Sequence, residues 1–218
     1  MKRVGILISG RGSNMVALLE AMERGEVPAR CALVLSNVPG APGLASAAER
    51  GVPTAVVDHK LSATREEHDG KVIARLREAG AEIVCLAGYM RLLSPLFVQA
   101  FSGRILNIHP ALLPAFPGLH VQRKAIEHGV RFSGCTVHVV DEECDHGPII
   151  LQAVVPILPG DTEESLSGRI LRYEHRTYPA ALRLMCEEKV VIEGRRARLL
   201  LSSEEYTRLV SALMDRGD

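Results

Sequence analysis

Val4-Gly5-Ile6-Leu7-Ile8-Ser9-Gly10-Arg11-Gly12-Ser13-Asn14 begins with an almost unbroken apolar run and stops at a glycine loop. A short continuous apolar run of this kind reads as a parallel strand covered on both faces. Asn14 to Arg24 then carries apolar residues at 15, 18, 19 and 22, a helical spacing. Strand, glycine loop and helix form the first unit of an α/β sheet, and the chain repeats the unit. Further strands are expected at Cys31 to Leu35, Ala55-Val56-Val57, Ile83 to Ala87 and Arg104 to Ile108. Between them fall a helix from Gly43 to Arg50 and one opened by a Thr64-x-x-Glu67 capping box with Val72, Ile73, Leu76 and Ala79 on its apolar face. A short helix begins at Pro95, where the missing N–H costs nothing. The alternation predicts a Rossmann-like, mostly parallel twisted sheet with helices on both faces.

The rhythm breaks at Asn107. From there to His120 the chain has three prolines and no periodicity, and a long irregular stretch inside a compact domain is usually functional. A cis bond is expected at Leu113-Pro114, in a rigid loop of this kind. Strands at Cys135 to Val140 and Ile149 to Val155 flank a charged loop, Asp141 to Pro148, and give the sheet an antiparallel C-terminal portion. A long helix from Glu163 to Glu187, a hairpin from Val190 to Leu201 and a terminal helix from Ser203 to Met214 follow. With no repeat or linker, one domain over 1–218 is expected.

Lys plus Arg equals Asp plus Glu at 26 each, so no charge excess favours nucleic acid or a membrane surface. The apolar run after Met1-Lys2-Arg3 is too short for a signal-peptide core, and no later run reaches membrane-spanning length. Five cysteines, an odd number without a C-x-x-C pair, speak against a disulfide framework or a cysteine zinc site. A reducing, cytoplasmic location is expected.

A glycine loop between strand and helix suits an anion, because free N–H groups and the helix dipole meet there. Gly-Lys-Ser/Thr is missing, which excludes a Walker loop and ATP. Met15 stands where a dinucleotide fingerprint needs glycine, and Ser36-Asn37 replaces the ribose-binding acid, which excludes NAD. Two readings remain: a single phosphate on the loop N–H groups and the Ser13 hydroxyl, or a tight turn with Ser13 or Asn14 as helix cap. Asn107 and His109, two apart at a strand end, point to one side. With Asp145 from the later loop they supply an amide donor for an oxyanion and an imidazole held cationic by a carboxylate. That set suits acyl transfer to an amine. No serine or cysteine nucleophile adjoins this histidine, so direct amine attack is more natural than a covalent intermediate.

Ser9-Gly10-Arg11-Gly12-Ser13-Asn14, Ala87-Gly88-Tyr89-Met90-Arg91-Leu92-Leu93, Asn107-Ile108-His109-Pro110-Ala111-Leu112-Leu113-Pro114, Pro117-Gly118-Leu119-His120 and Asp145-His146-Gly147-Pro148 together resemble the glycinamide ribonucleotide formyltransferases of bacterial type, over about residues 3 to 192. The resemblance implies the formyltransferase fold and transfer of a formyl group from 10-formyltetrahydrofolate to the amine of glycinamide ribonucleotide, in de novo purine biosynthesis. It implies Asn107, His109 and Asp145 as the catalytic trio. Gly12, Ser13, Asn14 and Glu174 would hold the ribonucleotide. Met90, Arg91, Leu92, Leu93, Val140, Asp141 and Cys144 would line the folate pocket, with Arg65 and Arg91 meeting the glutamyl carboxylates. Tyr89 replaces a common Phe, Ala111 a common Ser, and His146 a frequent Gly; Cys144 takes the place of an aliphatic residue. The implied partners are the two small molecules, and a homodimer is admissible.

His120 and His138 are expected behind the catalytic residues, while His59, His68 and His128 lie in polar stretches and are expected in solvent. No histidine pair has metal-ligand spacing with a carboxylate, so no metal is expected. Arg195-Arg196-x-Arg198 reads as a solvated hairpin tip, since no aromatic residue interleaves to stack a base. The rivals are a formyltetrahydrofolate hydrolase, expected to carry an extra N-terminal domain, and a methionyl-tRNA formyltransferase, expected to carry a C-terminal RNA-binding domain. A third is a ribonucleotide-binding regulator without turnover.

Overall fold

Alternate residues of the first strand, β1 (Lys2–Ile8), feed two different cores, and this fixes the layering. Val4, Ile6 and Ile8 face one side and pack with α1 (Ser13–Glu23) and α6 (Glu163–Cys186); Leu7 faces the other and packs with α3 (Arg65–Glu78) and α4 (Pro95–Ala100). The computed structural model describes residues 1–214. Its main sheet has the strand order β3-β2-β1-β4-β5-β6-β7. β2 (Ala29–Ser36), β3 (Thr54–Val56), β4 (Ile83–Leu86) and β5 (Ile105–His109) run parallel to β1. β6 (Phe132–Val139) and β7 (Ile149–Pro156) complete the sheet antiparallel. A hairpin of β8 (Val190–Glu193) and β9 (Arg196–Leu199) and the helix α7 (Ser203–Met214) follow α6.

The expected elements are present, with boundaries moved by at most three residues. One helix was not anticipated: α5 (Val121–Glu127), which buries only Val121 and Ala125. Thr64 caps α3 by accepting the Glu67 N–H at 3.1 Å. Glu67, however, reaches back to the N–H of Ala63 at 2.8 Å, one residue beyond the one a reciprocal box uses. The reciprocal box occurs instead on α6, between Thr162 and Ser165. The Leu113-Pro114 bond is cis, as expected.

Tyr178 of α6 is fully buried, and its hydroxyl faces the carbonyls of Leu86 at 3.1 Å and Leu106 at 3.0 Å. One side chain thus ties the long helix to neighbouring strands where β4 ends and one residue before Asn107. The parallel strands end together on that edge, where open α/β sheets collect their ligands.

Candidate active site

The glycine loop leaves β1 and meets two neighbours. The N–H of Gly43, at the start of α2 (Pro42–Glu49), donates to the Gly10 carbonyl at 3.1 Å. A Cβ on Gly43 would lie 2.7 Å from Ile8 and 3.0 Å from the carbonyl oxygens of Gly10 and Arg11, so only glycine fits there. That contact joins residues 33 apart in the chain, and no local pattern signals it. Gly12, not Ser13 or Asn14, is the residue before the first turn of α1. It has φ 70, and among the described residues no side chain caps the helix there. With no side-chain cap and no acidic residue in the first turn, the N-terminal end of α1 has a net attraction for an anion.

Asn14 turns inward and donates to Glu174 of α6 at 2.6 Å. Both are buried, and burial raises the Glu174 carboxyl above its usual range. The other atom of that amide, Oδ1, is buried without a hydrogen-bond partner among the described residues. Such an acceptor costs free energy until a donor, such as a ligand hydroxyl, reaches it.

The second cluster lies at the end of β5. Asn107 and His109 share a face, and the β5–β6 register sets His138 opposite Asn107. Burial lowers the His138 imidazole below its usual range. A neutral ring donates from Nδ1 to the Val139 carbonyl (3.1 Å) and accepts at Nε2 from the Asn107 amide (3.2 Å). This fixes which way the amide points and leaves its second N–H for another acceptor.

His109 is 4% exposed; its Nε2 donates to the Phe116 carbonyl at 2.9 Å, and its Nδ1 stands 3.3 Å from Asp145 Oδ2. Both ring nitrogens face oxygen acceptors, an arrangement that an imidazolium satisfies. Asp145 comes from the loop after β6. It has φ 53, a left-handed conformation that Asp tolerates better than most residues. Its Oδ2 also accepts the N–H of Gly118 at 2.8 Å, tying the charged loop to the proline loop. Its Oδ1 lies 3.8 Å from His138 Nε2. Two residues on, Gly147 is pressed against β6: a Cβ there would clash with the Val139 carbonyl.

Asn107, His109, His138 and Asp145 therefore converge, and Gly12, Ser13, Asn14 and Glu174 form a second group. A third wall links to the first loop, because Ser9 donates its N–H to the Gly88 carbonyl (3.1 Å) and accepts the Met90 N–H on its hydroxyl (2.8 Å). Met90 and Leu92 are exposed on this wall, and Leu93 is half-buried. Arg91 carries a buried Nε with no partner among the described residues. Val140 begins the charged loop, donating to the Ile105 carbonyl at 2.8 Å. Asp141 accepts from His146 at 2.9 Å, and Cys144 lies 3.6 Å from Asp145. Arg65 is exposed at the start of α3, 3.8 Å from Glu66.

Three histidines depart from expectation. His120 does not back the catalytic group: it is exposed, with Nδ1 3.0 Å from Arg123 and 3.7 Å from Glu163. His68 is not in solvent but fully buried in α3, and His59 is half-buried against Asn37. The hairpin tip is exposed at Gly194, Arg195 and Arg196, as expected of a solvated turn, and it also borders a cavity. Arg195, Arg196 and Ala197 line a cavity of about 490 Å³ together with Pro114, Pro117 and Asp145.

Comparison with known proteins shows the family. A family model described as formyl transferase matches residues 2–182. Phosphoribosylglycinamide formyltransferase of Haemophilus influenzae is 40% identical over 199 residues, covering 91% of this chain and 94% of that one. The trifunctional purine biosynthetic protein adenosine-3 of Drosophila melanogaster is 49% identical over 193 residues, 88% of this chain; the match spans 14% of that much longer protein. Among solved structures, glycinamide ribonucleotide transformylase 1 from Symbiobacterium toebii superposes with a TM-score of 0.91 at 52% identity, covering 92% of this chain and 95% of that one. Among the described residues no helix is long and apolar enough to cross a membrane.

Proposed function

The chain belongs to the formyl transferase family, and from that premise we propose that it moves a formyl group from 10-formyltetrahydrofolate to the primary amine of glycinamide ribonucleotide. The products are formylglycinamide ribonucleotide and tetrahydrofolate, in purine biosynthesis. The observation that carries this reading is the juxtaposition, on one sheet edge, of an uncapped helix N-terminus beside the Asn14–Glu174 pair and the Asn107–His109–Asp145 cluster. A ribonucleotide has a phosphate for the first, ribose hydroxyls for the Asn14 Oδ1 and Glu174, and an amine for the last. The folate supplies an activated formyl carbon, and its binding surface fits the exposed Met90 and Leu92 with the unpaired Arg91 Nε beside them.

The chemistry follows from what the side chains present. As the amine nitrogen bonds to the formyl carbon, negative charge develops on the formyl oxygen. The free N–H of the Asn107 amide, aimed by His138, donates to it, and the His109 ring, whose two nitrogens face Phe116 and Asp145, supports it through its charge and not through a further N–H. Asp145, beside His109 Nδ1, takes part in carrying the proton lost by the amine toward the folate nitrogen that leaves as the carbon–nitrogen bond breaks. The two small molecules are the partners of the site. The five free thiols suit a reducing cytoplasm.

Replacing Ser13 by alanine separates the two substrates. The loop N–H groups remain, so the expected loss is about 0.5–1.5 kcal/mol, the worth of one neutral hydrogen bond. Steady-state kinetics should show it as a higher KM for the ribonucleotide with the folate KM unchanged. An equal rise in both would count against a phosphate at this loop.

A further inference from the structure

Beneath the folate wall lies a pair of ionisable side chains that the proposed chemistry does not use. His68 and Asp69, adjacent on α3, are both 0% exposed. His68 bridges to β3's end, with Nε2 3.1 Å from the Val57 carbonyl and Nδ1 3.3 Å from Asp69 Oδ1. The other carboxylate oxygen, Oδ2, accepts the N–H of Ser94 at 2.7 Å. Ser94 is itself buried and caps α4, its hydroxyl accepting the Phe97 N–H. Taking two such groups fully out of water costs more than packed apolar residues would, so stability alone does not account for them.

The segment they hold supplies the account. Residues 88–94 are fastened at the near end by the two bonds to Ser9 and at the far end by the bond from Ser94 to Asp69. Met90, whose N–H makes one of those bonds, and Leu92 are 68% and 61% exposed, so the packing of their side chains does not fix them. Tyr89, buried within the segment, has a hydroxyl with no hydrogen-bond partner among the described residues. The path of the wall thus rests on its ends and on the packing of Tyr89 and Leu93; at the far end Ser94 is tied forward to Phe97 of α4 and across to α3 by the Asp69 carboxylate.

We propose that Asp69, braced by His68, is a positioning residue for the folate: it fixes the far end of the 88–94 wall so that Met90, Arg91 and Leu92 stand ready for the cosubstrate. This rests on the reading of that wall given under Proposed function. The clamp works by geometry rather than by charge. An asparagine at 69 can still accept from Ser94 on its oxygen and donate from its amide to His68 Nδ1.

The test compares Asp69→Asn with Asp69→Ala in steady-state kinetics, each variant's fold being checked by circular dichroism. The alanine variant should raise the folate KM by about tenfold, the upper end of the scale for one hydrogen bond, while the ribonucleotide KM stays within about twofold. The asparagine variant should stay close to wild type for both. If alanine does not fold, Asp69→Ser, whose oxygen is too short to span to Ser94, carries the same expectation. Equal shifts in both KM values, no shift in either, or an asparagine variant with the folate KM raised as far as tenfold would each overturn the proposal. Wild-type protein that transfers no formyl group would sink the reading of the site and not the clamp. In that case amide hydrogen exchange across 88–94 still decides: faster exchange in Asp69→Ala, with 9–14 unchanged, supports the clamp, and unchanged exchange refutes it.

Discussion

Asp145→Asn is expected to lower kcat by about two to four orders of magnitude, the usual span for a proton-handling group, while both KM values change little. The substitution is chosen because it leaves the loop intact. Asparagine accepts a left-handed φ such as the 53° found here nearly as well as aspartate does. Its amide oxygen can keep the bond that now joins Asp145 Oδ2 to Gly118 at 2.8 Å. What disappears is the negative charge 3.3 Å from His109 Nδ1 and the ability to take a proton. A variant that binds both substrates normally and turns over at the wild-type rate would remove Asp145 from the mechanism.

Asn107→Ala should cost nearly as much, a fall in kcat of about 10²–10³, the scale set by deleting one preorganised oxyanion donor. The amide of Asn107 is aimed in advance, since His138 accepts one of its N–H groups at 3.2 Å and leaves the other free. Alanine fits the β5 backbone, so the sheet should survive. It does strand the His138 Nε2 acceptor, which predicts a lower melting temperature corresponding to about 1–3 kcal/mol. Rate and stability should therefore fall together in this variant, whereas Asp145→Asn should lose rate with little loss of stability. A kcat for Asn107→Ala within a few-fold of wild type would show that the oxyanion is stabilised elsewhere.

How much of this could be read in advance depended on whether the signal was local. Strand-ending pairs such as Asn107 and His109 are local, and their shared face follows from a period of two. The layered fold was legible because an unbroken apolar run such as that of β1 has to be covered on both faces, and β1 does feed two cores. The α5 helix escaped because its buried positions, Val121 and Ala125, are a single i,i+4 pair in which alanine gives a weak apolar signal. His68 was misread because it sits in Glu66-Glu67-His68-Asp69, a run that looks solvated. The corrective signal was there at longer range: 68, 72 and 76 share one helix face, and Val72 and Leu76 had already marked that face as buried. His120 was misplaced because a residue at the end of an irregular loop has no period to orient it; with φ 57 it turns toward Arg123 and Glu163. The approach of Gly43 to the glycine loop and the reach of Tyr178 to two strand ends are tertiary contacts between distant segments, and no window of sequence contains them.

In the proposed reaction the attacking group at the Asn107–His109–Asp145 cluster is an amine held by a ribonucleotide anchored at the glycine loop, and not water. A transferase must present the amine to the formyl carbon and keep water from competing. The most direct measurement follows isotopically labelled formyl from 10-formyltetrahydrofolate, with the protein alone and with glycinamide ribonucleotide added. Slow deformylation by the protein alone, rapid deformylation with the ribonucleotide, and recovery of the label on its amine are the expected results. Rapid release of labelled formate at the same rate with or without the ribonucleotide would contradict the account and make the site that of a hydrolase.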